Sequence, residues 1–157
     1  MSNNDIQQQT TVNIQEKANL IWAIADKLVG VYKPHEYGNV ILPMCVIKRF
    51  EDTLAPTKEK VLATNEKLDK DGIVVKKGFL ESAAEQKFYN LSPFDFQKLL
   101  NDPENIKVNF ESYLNHFSDN VIDIIHRMDF DREIEKMADN GVLYVVIKEF
   151  CRPKGYP

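Results

Sequence analysis

The first clear pattern along the chain is a set of apolar residues at helical spacing, Ile14, Ala18, Ile21, Ala25 and Leu28, within NIQEKANLIWAIADKLVG. Asn13 suits the N-cap and Gly30 the end, so the spacing predicts an amphipathic helix of about four turns. Ahead of it, MSNNDIQQQTTV has too few apolar residues for a stripe, and residues 1–12 read as a flexible tail. Pro34 fits the first position of a second helix, with Glu36 in its first turn. There the apolar set (Tyr37, Val40, Ile41, Met44, Cys45) spreads through Val46, Ile47 and Phe50 over most of the circumference, the mark of a buried central helix. Pro43 inside that run frees the carbonyl of Asn39 and is expected to bend the helix there, at about 3 kcal/mol, a cost that burial of its neighbours at roughly 1.5–3 kcal/mol each can outweigh.

Residues 53–70 carry only a thin stripe, Leu54, Val61 and Leu68, and predict an exposed helix ended by Asp71-Gly72. IVVKKGFL reads as a short strand or an extended connector without a pairing partner, and ESAAEQKF as helix. Ser92-Pro93-x-Asp95 and Asp102-Pro103-Glu104 each resemble a helix start, with Ser92 as the first cap. Phe110, Tyr113, Leu114, Phe117, Val121, Ile125 and Met128 then share one face, with a break expected at Ser118-Asp119. An acid-capped helix from Asp131 to Asp139 stops at Asn140-Gly141. VLYVVIKEF fits strand or buried helix by periodicity alone, and helix is preferred because no other convincing strand exists. The predicted fold is all-α, a compact multi-helix bundle with room for one short extended segment near residues 73–76. Trp22, Phe94 and Phe96 are expected in its core.

Composition narrows the function classes. With 157 residues, 43% hydrophobic and 28% charged, the chain matches an ordinary globular protein with one core. Residues 1–80 hold 11 Lys/Arg against 10 Asp/Glu, and residues 81–157 hold 9 against 14. That balance excludes a broad nucleic-acid footprint and confines any DNA contact to a local patch on the first half. No apolar run approaches the ~20 residues of a membrane span, and no signal peptide opens the chain. A cytoplasmic protein without membrane contact is expected, its two cysteines, Cys45 and Cys151, buried as free thiols.

His35-Glu36-Tyr37-Gly38-Asn39 stops one residue short of the zinc-protease motif H-E-x-x-H. Asn39 is a poor zinc ligand, and His116 and His126 have no cysteine partner at zinc spacing, so no metal site is assigned. DFDREIE lacks the central Gly and terminal Glu of a cation loop and reads as a helix-capping turn. Phosphate-binding glycine loops and nucleophile elbows are absent. Lys48-Arg49, Lys58, Lys60 and Lys76-Lys77 are interleaved with acids, as on a mixed solvated surface. The residues by themselves point to a binding or assembly module, with no catalytic, cofactor-binding or metal-ligating residue.

The order of motifs adds more. W-x-x-A-x-x-L-x-G, K-P-x-E-Y-x-x-V-I-L-P, F-x-N-x-S, D-P-E-N-I and F-S-x-N-V-x-D-I-I-x-x-x-D-F-D follow one another between Asn19 and Phe150. In that order they resemble the N-terminal helical domain of the modification (methyltransferase, M) subunit of type I restriction-modification systems. The resemblance implies an adenine-specific DNA methyltransferase that uses S-adenosylmethionine and acts on double-stranded DNA. Its implied partners are a specificity subunit, a restriction subunit and a second methyltransferase subunit. The family's catalytic motifs, a Gly-rich cofactor loop and N-P-P-F/Y, lie in a following Rossmann-like domain and are not found here. Residues 13–157 are thus expected to be the helical domain of a longer chain, of which this is a non-catalytic fragment with no cofactor of its own. Lys33, Lys48 and Arg49 are the candidates for contact with DNA or a partner. The alternative is an autonomous helical interaction module or regulator without methyltransferase activity.

Overall fold

A computed structural model describes residues 2–151. Helix α1 (Asn3–Leu28) is followed by a 3₁₀ turn at Pro34–Glu36 and by α2 (Gly38–Leu54). A second 3₁₀ turn, Ala55–Thr57, leads to α3 (Lys58–Lys70) and, after a connector, α4 (Lys77–Ala84). The second half holds α5 (Phe96–Leu99), a 3₁₀ turn at Pro103–Asn105, α6 (Ile106–Asn115), α7 (Asp119–Arg127), α8 (Asp131–Asp139) and α9 (Leu143–Glu149). The described residues contain no strand, so the fold is all-α as predicted. No helix among the described residues is long and apolar enough to cross a membrane. The stretch from Arg152 onward, RPKGYP, lies outside the described residues.

Most helix boundaries follow local chemistry. Pro34 opens a 3₁₀ turn rather than α2, which starts four residues later at Gly38, and the Glu36 carboxylate accepts the Lys33 backbone N–H at 2.9 Å, satisfying a donor at the turn's entry. Pro43 sits buried inside α2, which runs on unbroken. The bond it forfeits falls in the first turn, beside exposed Gly38 and Asn39. Gly30, Gly72 and Gly141 hold the left-handed conformation (φ +87°, +70° and +70°) where α1, α3 and α8 end. VLYVVIKEF is helical, with Leu143, Val146 and Ile147 buried, and the break at Ser118 separates α6 from α7.

The core joins Ile24 and Leu28 of α1 to Val40, Met44 and Ile47 of α2 and to Val146 and Ile147 of α9. Its centre is aromatic. The Phe96 ring meets Phe110, Tyr113 and Phe150 edge-on with centroids 5.9–6.1 Å apart, and Phe50 bridges Phe88 and Phe117. Such contacts add roughly 0.5–1.5 kcal/mol each to the burial of the rings. The thin stripe Leu54, Val61 and Leu68 is wholly buried, against Leu80, Ala83 and Ala84 of α4.

Four further expectations are corrected. The segment read as a tail is helical: α1 begins at Asn3, capped by Ser2 and Asp5 rather than Asn13, with residues 3–15 all exposed. Trp22 is 70% exposed, because α1 meets the bundle through the face of Leu20, Ile24, Ala25 and Leu28. The helix expected at ESAAEQKF starts four residues earlier, at Lys77, and stops where Glu85 turns left-handed (φ 58°) and Thr57 Oγ1 donates to the Ala84 carbonyl at 3.1 Å. Ser92 does not cap α5. Its hydroxyl accepts the Phe94 N–H at 3.0 Å, and Asp95 caps the helix by accepting the Lys98 N–H at 2.7 Å. Residues 73–76 form a connector without regular structure, with Val74 and Val75 almost fully exposed and Lys76 already in the right-handed helical region at the entry to α4.

Candidate functional site

The three residues singled out by sequence occupy different environments. Lys33 lies exposed in the turn between α1 and α2. Arg49 is exposed on α2, and no ion pair reaches its guanidinium among the described residues. Lys48, one position earlier, is turned inward. Its ammonium meets Glu51 at 2.9 Å and Asp52 at 3.2 Å and lies 5.3 Å from the centre of the Phe96 ring. Burial opposes its charge, but the two carboxylates outweigh that and raise its pKa. Lys48 is therefore spent on structure, while Lys33 and Arg49 keep their charge available.

Around Lys48 lies a polar hub that sequence reasoning missed. Glu51, one turn along α2, accepts from three donors: the Phe96 N–H at 2.8 Å, the Tyr113 hydroxyl at 3.0 Å and Lys48. Its carboxylate thus fastens α2 to α5 and α6. Opposite, Lys58 at the start of α3 donates to the Asn90 side-chain oxygen at 2.9 Å and to the Phe94 carbonyl at 3.4 Å, with its charge 5.7 Å from the Tyr113 ring centre. It has neutral acceptors only, so burial dominates and lowers its pKa to about 8. Burial and the nearby Glu51 together push the Tyr113 phenol well above its ordinary value.

The loop over residues 85–95 is held by the same logic. Buried Asn90 accepts the Ser92 N–H at 2.8 Å and donates to the Tyr113 carbonyl at 3.0 Å. The Leu91 N–H donates to the His116 carbonyl, the Ser118 N–H to the Tyr89 carbonyl, and Asn120 donates to the Lys87 carbonyl. The F-x-N-x-S motif is thereby explained. Phe88 packs on Phe50, Asn90 replaces backbone pairing for a buried loop, and Ser92 folds the turn into α5. A signal existed in the sequence, since Asn and Ser between aromatics in a loop suggest buried polar partners. Their partners on α3 and α6 did not show.

His35-Glu36 is a turn, not a ligand pair, and no group of three His, Cys, Asp or Glu among the described residues is placed to hold a metal ion. The hub's hydroxyls, amides and amines are engaged with neighbours, so what the arrangement does chemically is fix helices and one loop in register. Burial raises both thiols, Cys151 to about 11, which keeps them protonated and poorly nucleophilic. The surface left by this packing consists of the exposed length of α1, the connector at residues 73–76, and cations such as Lys33 and Arg49.

Neither a curated protein nor a solved structure matches the chain. The profile of the HsdM N-terminal domain family matches residues 17–150. That span takes in the 3₁₀ turn with its Glu36 cap, the Glu51 hub and the loop held by Asn90. By this match over most of its length, the chain belongs to the HsdM N-terminal domain family, the N-terminal domain of the modification subunit of type I restriction-modification systems.

Proposed function

We propose that the chain serves as the assembly and DNA-clamping domain of an adenine-specific DNA methyltransferase subunit. The catalytic part of that subunit uses S-adenosylmethionine and acts in the cytoplasm on double-stranded DNA. Its partners are a specificity subunit, a restriction subunit and a second methyltransferase subunit. The observation that carries this reading is membership of the family by a chain whose longest helix keeps Ile14, Ile21 and Trp22 outside its own core. Apolar side chains on a projecting helix favour a protein partner. Lys33 and Arg49 supply exposed cations for phosphates, contacts that position DNA without reading its sequence. Lys48 supports the same surface indirectly, through Glu51 and Asp52.

The test is deletion of this domain from the intact modification subunit, followed by reconstitution with the specificity subunit. The expected result is loss of the second modification subunit from the complex, read by native mass spectrometry, and loss of adenine methylation at the target site. A deleted complex that keeps its stoichiometry and methylates at the intact rate overturns the reading.

A further inference from the structure

The turn between α1 and α2 lines an open basin of about 560 Å³, to which Lys136 of α8 also contributes. Tyr32, Lys33, His35, Glu36 and Lys136 line it. Tyr32 is a fixed element: the side chain is 5% exposed, and its hydroxyl donates to the Glu133 carbonyl at 3.4 Å. Lys136 lies over the Tyr32 ring, its ammonium 4.3 Å from the centre, which places the charge at the rim. No ion pair within 4 Å engages Lys33, His35 or Lys136 among the described residues.

The one acid in the basin is Glu36, and it is already committed to the backbone N–H of Lys33. That bond, with lesser help from Lys136, His35 and Lys33, holds its carboxyl below the usual range. Among the lining residues two lysines against one carboxylate give +1 with His35 neutral and +2 with it protonated, and the Glu133 carboxylate behind Tyr32 is offset by Arg132 at 3.7 Å, on a chain whose formal net charge is −4. A concave surface concentrates such a field, so the basin is a local attractor for anions on an acidic molecule.

We infer that this basin binds a phosphate group, held by Lys33 and Lys136 with His35 beside them. The phosphodiester of duplex DNA is the source that fits, a choice that rests on the DNA-clamping reading above. A free phosphate or pyrophosphate presents the same chemistry. Backbone contacts of this kind carry no sequence preference and fall with salt, each lysine removed lowering the slope of log affinity against log salt by about 0.9. The K-P-x-E-Y motif then has two tasks. Glu36 shapes the turn, and the turn presents Lys33.

The experiment follows backbone amide shifts of the 157-residue chain on titration with pyrophosphate and, separately, with a mixed-sequence DNA duplex at low salt. Both should perturb residues 30–36 and the amide of Lys136. Lys33→Glu with Lys136→Glu should lower affinity for each at least about tenfold and reduce the salt slope for DNA by about 2. The double Arg variant, Lys33→Arg with Lys136→Arg, should retain binding, which guards against a fold defect in the charge-reversed chain. Glu36→Gln keeps an acceptor for the Lys33 N–H and removes the one anion, so it should tighten both ligands. Perturbation by pyrophosphate without any DNA binding would support the basin and sink the DNA-clamping reading. DNA binding that leaves these amides unmoved would overturn the basin and spare that reading, and silence with both ligands would overturn the basin outright.

Discussion

Glu51 shows how one side chain sets the relation of three helices. Its carboxylate takes a backbone N–H from α5, a hydroxyl from α6 and an ammonium from its own helix, and its side chain is only 12% exposed. Glu51→Ala would strand the Tyr113 hydroxyl and the Phe96 N–H in a nearly dry interior. The expected cost is about 2–4 kcal/mol, read as a lower urea midpoint. An unchanged midpoint would mean that water reaches these donors. Lys58 makes a prediction with a definite sign. Its folded pKa, about 8, lies below the ordinary lysine value of 10.5, so between these limits the unfolded chain binds more protons than the folded one. Stability from this group therefore rises with pH across that window. Lys58→Met should flatten the rise, and the difference between wild type and variant should change by about 1 kcal/mol between pH 8 and 10 after allowing for solvent screening. The comparison removes the opposite trend from Cys151, whose raised value lowers stability as pH increases above 9.

Among the elements, α1 departs most from its expected form. It has 26 residues, about 39 Å of helix, yet its buried positions are confined to Ile24, Ala25 and Leu28. Helix formation beyond the bundle is supported by the Ser2–Asp5 capping box and by the good helix formers in QQQ and QEKA. Removing residues 1–13 should leave the urea midpoint within about 0.5 kcal/mol of the intact chain, since no buried contact is lost. Trp22 is the only tryptophan, so its fluorescence reports this helix directly. Its emission should already be solvent-like in the folded chain and shift little on denaturation. A blue-shifted native emission would place the ring against a second surface. α4 teaches a related lesson. Its start at Lys77 puts Leu80, Ala83 and Ala84 against α3, and tertiary burial overrides the helix preference of the residues that follow Glu85.

At the scale of the whole molecule, an all-α fold was legible because most apolar residues repeat at helical spacing and because Pro, Gly and Asn punctuate the chain at α1, α3, α6 and α8. Asp131–Asp139 and the break at Ser118 were read at their observed positions from local acid and Asn-Gly signals, although no side chain caps either helix start and Phe130, not an acid, holds the N-cap position of α8. The family, too, was written in motif order, and the match over residues 17–150 agrees with it. Partner residues were not legible. Lys48 pairs with Glu51 and Asp52 at the i+3 and i+4 spacing of its own helix, but only the packing of α5, with Phe96 beneath its ammonium, buries it while Arg49 stays outside. Lys136 is about a hundred residues from Lys33, and no periodicity could have placed them around one basin. The sequence by itself determined most of the helices and the family, because helical periodicity and motif order are written in residues close together along the chain, while several caps shifted to neighbouring residues. Tertiary structure alone decided which charges are spent in the core and which remain for a ligand, because that depends on desolvation, and desolvation is set by what packs against each side chain from elsewhere in the chain.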